Sequence, residues 1–208
     1  MQQNQDIKGF TLLELLVVVV IVVVISAVGY PKFNDWKKER EVRVAAVSVV
    51  SMINGIVSQS KRGSFPFVQF IATTSNEGGE TSFETKGMSQ STFVRQQADI
   101  LNSNDCTKSG RVWDKDKLHF INKEIKVNFV GTSSVCFSKD TSIFKSDKKL
   151  NGNFIILCNK DIKDQICTTD ETLLKTPAYK IEWNRFGNVT KKKWNKKDDA
   201  EKGTWTLQ

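Results

Sequence analysis

The feature that most constrains this chain is a nearly continuous apolar run close to its start. Between Phe10 and Val28 the polar residues are Thr11, Glu14 and Ser26. A helix needs about 20 mostly apolar residues to cross a bilayer, so this run can span a membrane. A buried helix that is apolar all round would need apolar neighbours on every side. The rest of the chain is too polar and strand-like to supply them, and the whole chain has a mean hydropathy of −0.34.

Two ordinary explanations of this run are open. A secretory signal peptide would be cut after its apolar core, for example after Ala27, but its first residues should be clearly positive. Here Lys8 is offset by Asp6. An ordinary membrane anchor leaves Glu14 unexplained, because a charged side chain costs roughly 2.5–3.5 kcal/mol at the bilayer centre. Even near the interface a lone carboxylate calls for a partner.

A third explanation accounts for Glu14. The segment Gly9-Phe10-Thr11-Leu12-Leu13-Glu14-Leu15 resembles the prepilin processing motif of type IV pilins and type II secretion pseudopilins. The resemblance covers about residues 8–31. It implies that a prepilin peptidase/methyltransferase cuts between Gly9 and Phe10 and methylates the new amine of Phe10. It also places Glu14 at the family's acidic position and Pro31 at its helix-interrupting proline, and it implies other pilin subunits as partners.

Elementary electrostatics makes the same arrangement sensible. Cleavage after Gly9 creates a cationic amine on Phe10, within one helical turn of Glu14. A carboxylate in the first turn is favoured by the helix dipole. The amine and the carboxylate can also pair between adjacent subunits, which would neutralise both charges and set the register of an assembly. At Pro31 the helix loses one hydrogen bond, because proline has no N–H.

The charges that flank the run point the other way. Lys32, Lys37, Lys38 and Arg40 follow it, whereas Lys8 precedes it. By the positive-inside rule the C-terminal part would stay in the cytoplasm. We give the processing motif precedence over this rule. The expected location is then the inner membrane, crossed once with the head outside the cytoplasm, and afterwards a pilus or pseudopilus filament.

Beyond Pro31 the apolar residues recur at helical steps of three and four. This set predicts one buried helix face and comprises Val42, Ala45, Ala46, Val49, Ile53, Ile56 and Val57. A helix from Phe10 to about Ser60 would end at Lys61-Arg62-Gly63, where basic residues precede a glycine. The predicted organisation is a leader (1–9), a transmembrane and filament-core helix (10–30), its amphipathic continuation (31–62) and a β-rich head (63–208).

The head shows the alternation and β-branched content of strands. We predict strands at 65–73, 124–130, 153–158 and 204–207, a hairpin of 179–183 with 189–194, and a short helix near 92–101. A long helix packed on a mainly antiparallel sheet gives an α+β fold.

Four cysteines lie beyond the apolar run, at Cys106, Cys136, Cys158 and Cys167. No pair has zinc-site spacing. An even number fits one or two disulfides in an oxidising compartment, and the short interval favours Cys158 with Cys167. Reduced, buried thiols are the alternative.

Motifs for catalysis are missing. His119 is the single histidine and lies in a strand-like stretch, where it is expected to be structural. Asp114 and Asp116 alternate with lysines and lack further ligands for a metal. No nucleophile elbow, P-loop or dinucleotide fingerprint occurs. We therefore expect no enzymatic activity, no cofactor and no metal.

The net charge of +8 suggests anionic partners, although it also fits a merely solvated surface. The candidate polyanion site comprises Arg185, Lys191, Lys192, Lys193, Lys196 and Lys197. Trp183, Trp194 and Trp205 lie among these cations and could stack exposed bases, as some minor pilins bind DNA through a basic C-terminal region. The alternative to a structural subunit is thus a DNA-binding minor pilin of DNA uptake. The simpler interpretation of these cations and tryptophans is a solvated hairpin whose tryptophans lie in the core.

Overall fold

A helix of 50 residues, α1 (Leu12–Lys61), opens the described part of the chain. It ends where the sequence predicts, because Gly63 adopts a left-handed φ of +84°. The amide of Ser64 then donates to the Gln59 carbonyl, and that of Gly63 to the Ser60 carbonyl. These two bonds satisfy carbonyls at the helix end in a Schellman motif, for which glycine has no steric penalty.

This computed structural model describes residues 10–74, 81–103, 106–107, 110–113, 127–141, 143–146, 153–159, 167–174, 177–195 and 203–208. The chain forms two compact units, one ending at Lys38 and the other spanning Glu39–Gln208. The first unit contains the apolar part of α1. The second contains the remainder of α1 and all the strands given below.

The strands of the second unit are β1 (Phe67–Thr74), β2 (Thr81–Met88), β3 (Val127–Gly131), β4 (Ser134–Ser138), β5 (Phe144–Ser146), β6 (Phe154–Asn159), β7 (Ala178–Trp183), β8 (Val189–Asn195) and β9 (Thr204–Leu207). A second helix, α2 (Gln90–Asn102), follows β2. The strands form a four-stranded sheet of order β2-β1-β4-β5 and a five-stranded sheet of order β3-β6-β7-β8-β9. Every described pairing is antiparallel.

The main core lies between α1 and both sheets. The predicted apolar face of α1 is buried throughout, from Val42 to Val57, and its side chains join one cluster with residues of both sheets such as Phe70 and Ile181. Alternation along β1 and β7 sends every second side chain of these strands to this cluster. The α+β prediction, with a long helix packed on antiparallel strands, is confirmed.

The opposite face of the four-stranded sheet is covered by α2. Phe67 and Met88 pack there with Ile100 of α2. Ser89 caps the start of α2 by accepting a hydrogen bond from the Thr92 amide, and the Lys145 ammonium on β5 donates to carbonyls at its end. Such contacts satisfy backbone groups that a helix cannot pair internally.

The sequence did not predict three of the strands, β2, β4 and β5. It also predicted one sheet, whereas the structure has two. In β2 the alternate buried positions begin with Thr81, Phe83 and Thr85, whose mixed polarity hides the alternation, and Gly87 and Met88 are buried as well. In β4 all five residues are buried, so no alternation exists to be read. In β5 only three residues pair.

Candidate processing segment and basic strand

The start of α1 is organised by Thr11. The Glu14 amide donates to the Thr11 hydroxyl over 3.2 Å, and the Leu15 amide donates to the Thr11 carbonyl over 3.2 Å. Thr11 therefore caps the helix, and Glu14 occupies the third helical position, as in a Thr-x-x-Glu capping box. This capping signature is visible in the sequence, and it predicts a helix that begins directly after Thr11. Gly9 lies outside the described residues.

The apolar part of α1 has no protein cover. Every side chain from Phe10 to Ala27 is exposed, with Phe10 itself 84% exposed and Leu12 83%. Fully burying one such side chain contributes about 1.5–3 kcal/mol relative to leaving it in water. Covering the segment, by lipid or by other protein chains, is therefore favourable.

The helix is not divided at Pro31. The assignment of α1 is continuous from Leu12 to Lys61, so the predicted interruption does not end the helix. Proline removes a single N–H, and the remaining hydrogen bonds of a 50-residue helix persist on either side.

Within the described residues, Lys32–Lys61 is long and apolar enough to cross a membrane, and Leu12–Ala27 is a shorter apolar helix. The most apolar 18 residues of the first stretch have a mean hydropathy of 1.4, but 44% of them are buried inside the protein. Its hydropathy thus reflects core packing in the second unit. Leu12–Ala27 is the stretch that lacks cover.

The basic strand β8 divides its lysines between two faces of the five-stranded sheet. The Lys193 ammonium donates to Glu39 of α1 over 2.6 Å, and Lys191 lies over the Tyr179 ring at 5.9 Å. Lys192 points to the other face and donates to Glu182 over 2.6 Å. Because alternate residues of a strand face opposite ways, three consecutive lysines do not form one patch.

Two carboxylates, those of Glu39 and Glu182, offset part of the positive charge of β8. The hydrogen bond from Lys193, assisted by Arg43, holds the pKa of the Glu39 carboxyl below its usual value, against the opposing effect of burial. Burial raises the pKa of Glu182, but hydrogen bonds from Lys180 and Lys192 together bring it below its usual value. Both carboxylates are thereby held ionised beside the lysines.

Two of the three tryptophans proposed to stack bases are buried and unavailable for stacking. Trp194 is fully buried and Trp183 is 4% exposed. Trp205 is half-buried, with its ring 4.9 Å from that of Trp194 and its indole N–H donating to Glu171. Their apolar rings gain more from the core than from water, and the plain reading of them as core residues fits these positions.

Of the remaining candidates of the basic set, the structure describes Arg185. The Arg185 guanidinium donates to the Thr141 carbonyl over 3.3 Å. Lys196 and Lys197 lie outside the described residues, as do His119, Asp114 and Asp116. In the ranges that the structure does describe, no group of three or more His, Cys, Asp or Glu side chains could hold a metal ion.

Both disulfides are formed, Cys106 with Cys136 and Cys158 with Cys167. Cys106 and Cys136 are buried under α2, whereas Cys158 and Cys167 belong to the cluster around Trp194. Each bridge thus lies in a satellite core outside the main cluster around α1.

A helix with an exposed apolar beginning, followed along the chain by a β-rich unit, fits a chain that is anchored or assembled through its first segment. Residues 4–30 match the family model described as the prokaryotic N-terminal methylation motif. This is the prepilin-type signal of type IV pilins and pseudopilins, so the resemblance found in the sequence is confirmed, and the chain carries the mark of a pilin-like or pseudopilin subunit. No curated protein and no solved structure shows significant similarity to the chain.

Proposed function

We propose that this chain is a minor structural subunit of a type IV pilus or type II secretion pseudopilus. It is made as an inner-membrane precursor with its head outside the cytoplasm, cut by a prepilin peptidase between Gly9 and Phe10, and assembled through α1. The exposure of every side chain from Phe10 to Ala27 is the observation that supports this most directly. Lipid covers this segment in the precursor, and the helices of neighbouring subunits cover it in the filament.

Glu14 has the position needed for pairing between subunits. Its backbone is held in the first turn by Thr11, and its side chain is exposed. A carboxylate inside an apolar assembly is costly without a partner. The amine that cleavage creates on Phe10 of the next subunit supplies one, and the pair fixes how far two helices slide past each other.

Cleavage is tested by the mass of the mature N-terminus after expression with a prepilin peptidase. The expected start is methylated Phe10. A chain that starts at Met1, or after Ala27, would refute the processing proposal.

Assembly is tested by replacing Glu14→Ala, which should leave cleavage intact and abolish incorporation into sheared filaments. The matched control is Thr11→Val, which removes the cap but keeps the carboxylate. Loss of incorporation in Glu14→Ala alone supports charge pairing. Equal loss in both variants would mean that a well-formed helix start, and not the pair, is required.

The assignment as a minor subunit rests on the size of the second unit and its two disulfides. Quantitative mass spectrometry of purified filaments should find this chain at a small fraction of the most abundant pilin-like subunit. A chain that dominates the filament would be a major subunit.

DNA capture during uptake is the alternative, supported by the net charge of +8 and the lysines of β8. The carboxylate partners of Lys192 and Lys193 and the burial of two tryptophans weaken that support. The fragment Glu39–Gln208 should not shift DNA at low salt. A salt-sensitive shift that is lost when Lys191, Lys192 and Lys193 become Glu would favour the alternative.

A further inference from the structure

The segment of α1 just beyond the apolar run carries three exposed aromatic side chains. Tyr30 is 70% exposed, Phe33 59% and Trp36 54%. The rings of Phe33 and Trp36 lie 5.8 Å apart at a tilt of 33°. Aromatic side chains with a polar tip are enriched at membrane–water interfaces, where an apolar ring meets the headgroups.

Helical spacing places these three rings on one side of α1. Successive steps of three residues, at about 100° per residue, spread them over an arc of roughly 120°. Lys37 falls inside this arc and Lys32 borders it, and both lysines are exposed. Asp35 lies on the opposite side by the same spacing. Lys38 lies on that opposite side as well, so the segment has an aromatic and basic face and a back of mixed charge.

The distance from the processing site fits one bilayer. Twenty residues separate Phe10 from Tyr30, which corresponds to about 30 Å of helix at 1.5 Å per residue. The hydrocarbon core of a bilayer is about 30 Å thick. If the new N-terminus lies at one interface, Tyr30 reaches the other, and the following two turns lie among the headgroups.

We propose that Tyr30, Lys32, Phe33, Trp36 and Lys37 form an interfacial collar that seats the anchored subunit in the outer headgroup layer and binds anionic phospholipid. This inference rests on the proposed membrane-anchored precursor. It also assigns a role to Lys32 and Lys37, which the positive-inside rule would place in the cytoplasm and the proposed topology places outside it. Their charge is directed at lipid phosphates, and each basic residue near an anionic surface contributes about 1 kcal/mol, roughly a fivefold preference.

The test uses the full mature chain in phosphatidylcholine vesicles that contain a brominated lipid as quencher. The emission of Trp36 is obtained as the difference between the unaltered chain and Trp36→Phe, because the four other tryptophans lie in the second unit. Bromines near the headgroup should quench this emission more than bromines near the acyl end. Deeper quenching, or no lipid quenching at all, would overturn the collar.

Lipid selectivity is measured by comparing brominated phosphatidylglycerol with brominated phosphatidylcholine at equal mole fraction. At about fivefold from each of the two lysines, the unaltered chain should favour phosphatidylglycerol about 25-fold, and Lys37→Gln should reduce that preference to about fivefold. The matched control is Lys61→Gln, which removes an equal charge 24 residues further along α1 and should change nothing. Equal quenching by both lipids, or equal effects of the two variants, would refute anionic lipid binding.

The same vesicles separate the two proposals. Flotation and the N-terminal mass report whether the chain is anchored and begins at methylated Phe10. If it does not float, the proposed function fails. A second outcome is a chain that floats and begins at the expected terminus. If its Trp36 is then quenched by aqueous iodide and not by brominated lipid, only the collar proposal fails.

Discussion

At the scale of single residues, a group of polar side chains joins α1 to the five-stranded sheet. The group consists of Glu39, Arg43, Tyr179 and Lys193. Glu39 accepts hydrogen bonds from Lys193 at 2.6 Å and Arg43 at 2.8 Å, and Arg43 also donates to the Tyr179 hydroxyl. The side chains of Glu39 and Lys193 are 30% and 24% exposed. Such half-buried pairs stabilise more than fully exposed ones, since solvent screens them less.

Replacing Glu39→Gln should lower the free energy of unfolding by about 1 kcal/mol at neutral pH, because Lys193 loses its charged partner. The pKa of Glu39 is lowered in the folded state, so its contribution is fully present above the unfolded pKa. It is lost as the pH falls through the lowered folded pKa. Urea unfolding at several pH values should therefore show the two proteins converging in acid. A difference that persists unchanged there would refute the ionic origin.

Gly187, in the turn between β7 and β8, is needed for close packing on α1. Its φ is +79°, and a Cβ there would lie 2.4 Å from Cγ1 of Val57. Gly187→Ala should therefore cost the strain of positive φ plus about 1–3 kcal/mol of overpacking. Gly110→Ala is the matched control, because its φ is +86° but no atom of the described residues lies within 4 Å of a Cβ placed there.

Thermal unfolding of the two glycine variants isolates the steric part of the cost. The second substitution Val57→Ala should relieve part of the loss in Gly187→Ala, because it removes the methyl groups that clash. If Gly187→Ala and Gly110→Ala were equally destabilising, backbone strain alone would explain both.

At the scale of elements, the disulfides fasten segments that the main core does not hold. Cys106–Cys136 ties the chain after α2 to β4, and Cys158–Cys167 ties β6 to the segment that follows it. Their sequence separations are 30 and 9. A crosslink restricts the unfolded chain more when it closes a longer loop.

Removal of the longer bridge by Cys106→Ala with Cys136→Ala should therefore cost more than removal of the shorter one. Loop-closure entropy gives about 3.6 kcal/mol for the first bridge and about 2.6 kcal/mol for Cys158→Ala with Cys167→Ala. Urea unfolding of each double variant measures both values. The reverse order would show that local packing around the sulfurs, and not loop length, decides the contribution.

At the scale of the whole molecule, α1 belongs to both units and has a different exposure in each. Its side chains are exposed from Phe10 to Ala27, and the buried face begins at Val42. The described core of the second unit lies within Glu39–Gln208 and includes that face. Anchoring and folding are thus carried by different parts of one helix.

A fragment that begins at Glu39 should accordingly be soluble and unfold cooperatively on heating, whereas one that begins at Gly63 should not fold. The shorter fragment loses the helix against which both sheets pack. Circular dichroism and thermal melting distinguish the two outcomes. Cooperative unfolding of the shorter fragment would show that the sheets do not need α1.

Much of the fold is legible in the sequence where one period dominates. The steps of three and four from Val42 to Val57 predict the buried face of α1, and alternation at Tyr179, Ile181 and Trp183 predicts the hairpin of β7 and β8. β2 and β4 were missed because their buried positions carry threonine or leave no exposed partner to alternate with. The residue pattern within a strand does not predict its burial where the neighbouring elements, and not the strand's own residues, determine which positions are buried.

The sequence by itself determined the N-terminal segment: a processing motif, an apolar run of bilayer length and the continuing helix are all local properties of consecutive residues. Only the tertiary structure decided what the basic strand can do. Adjacent lysines of β8 face opposite ways, and the carboxylate that neutralises Lys193 lies 154 residues away on α1. The physical reason is that exposure and charge pairing depend on which elements meet in space, and that meeting is set by the packing of the whole chain.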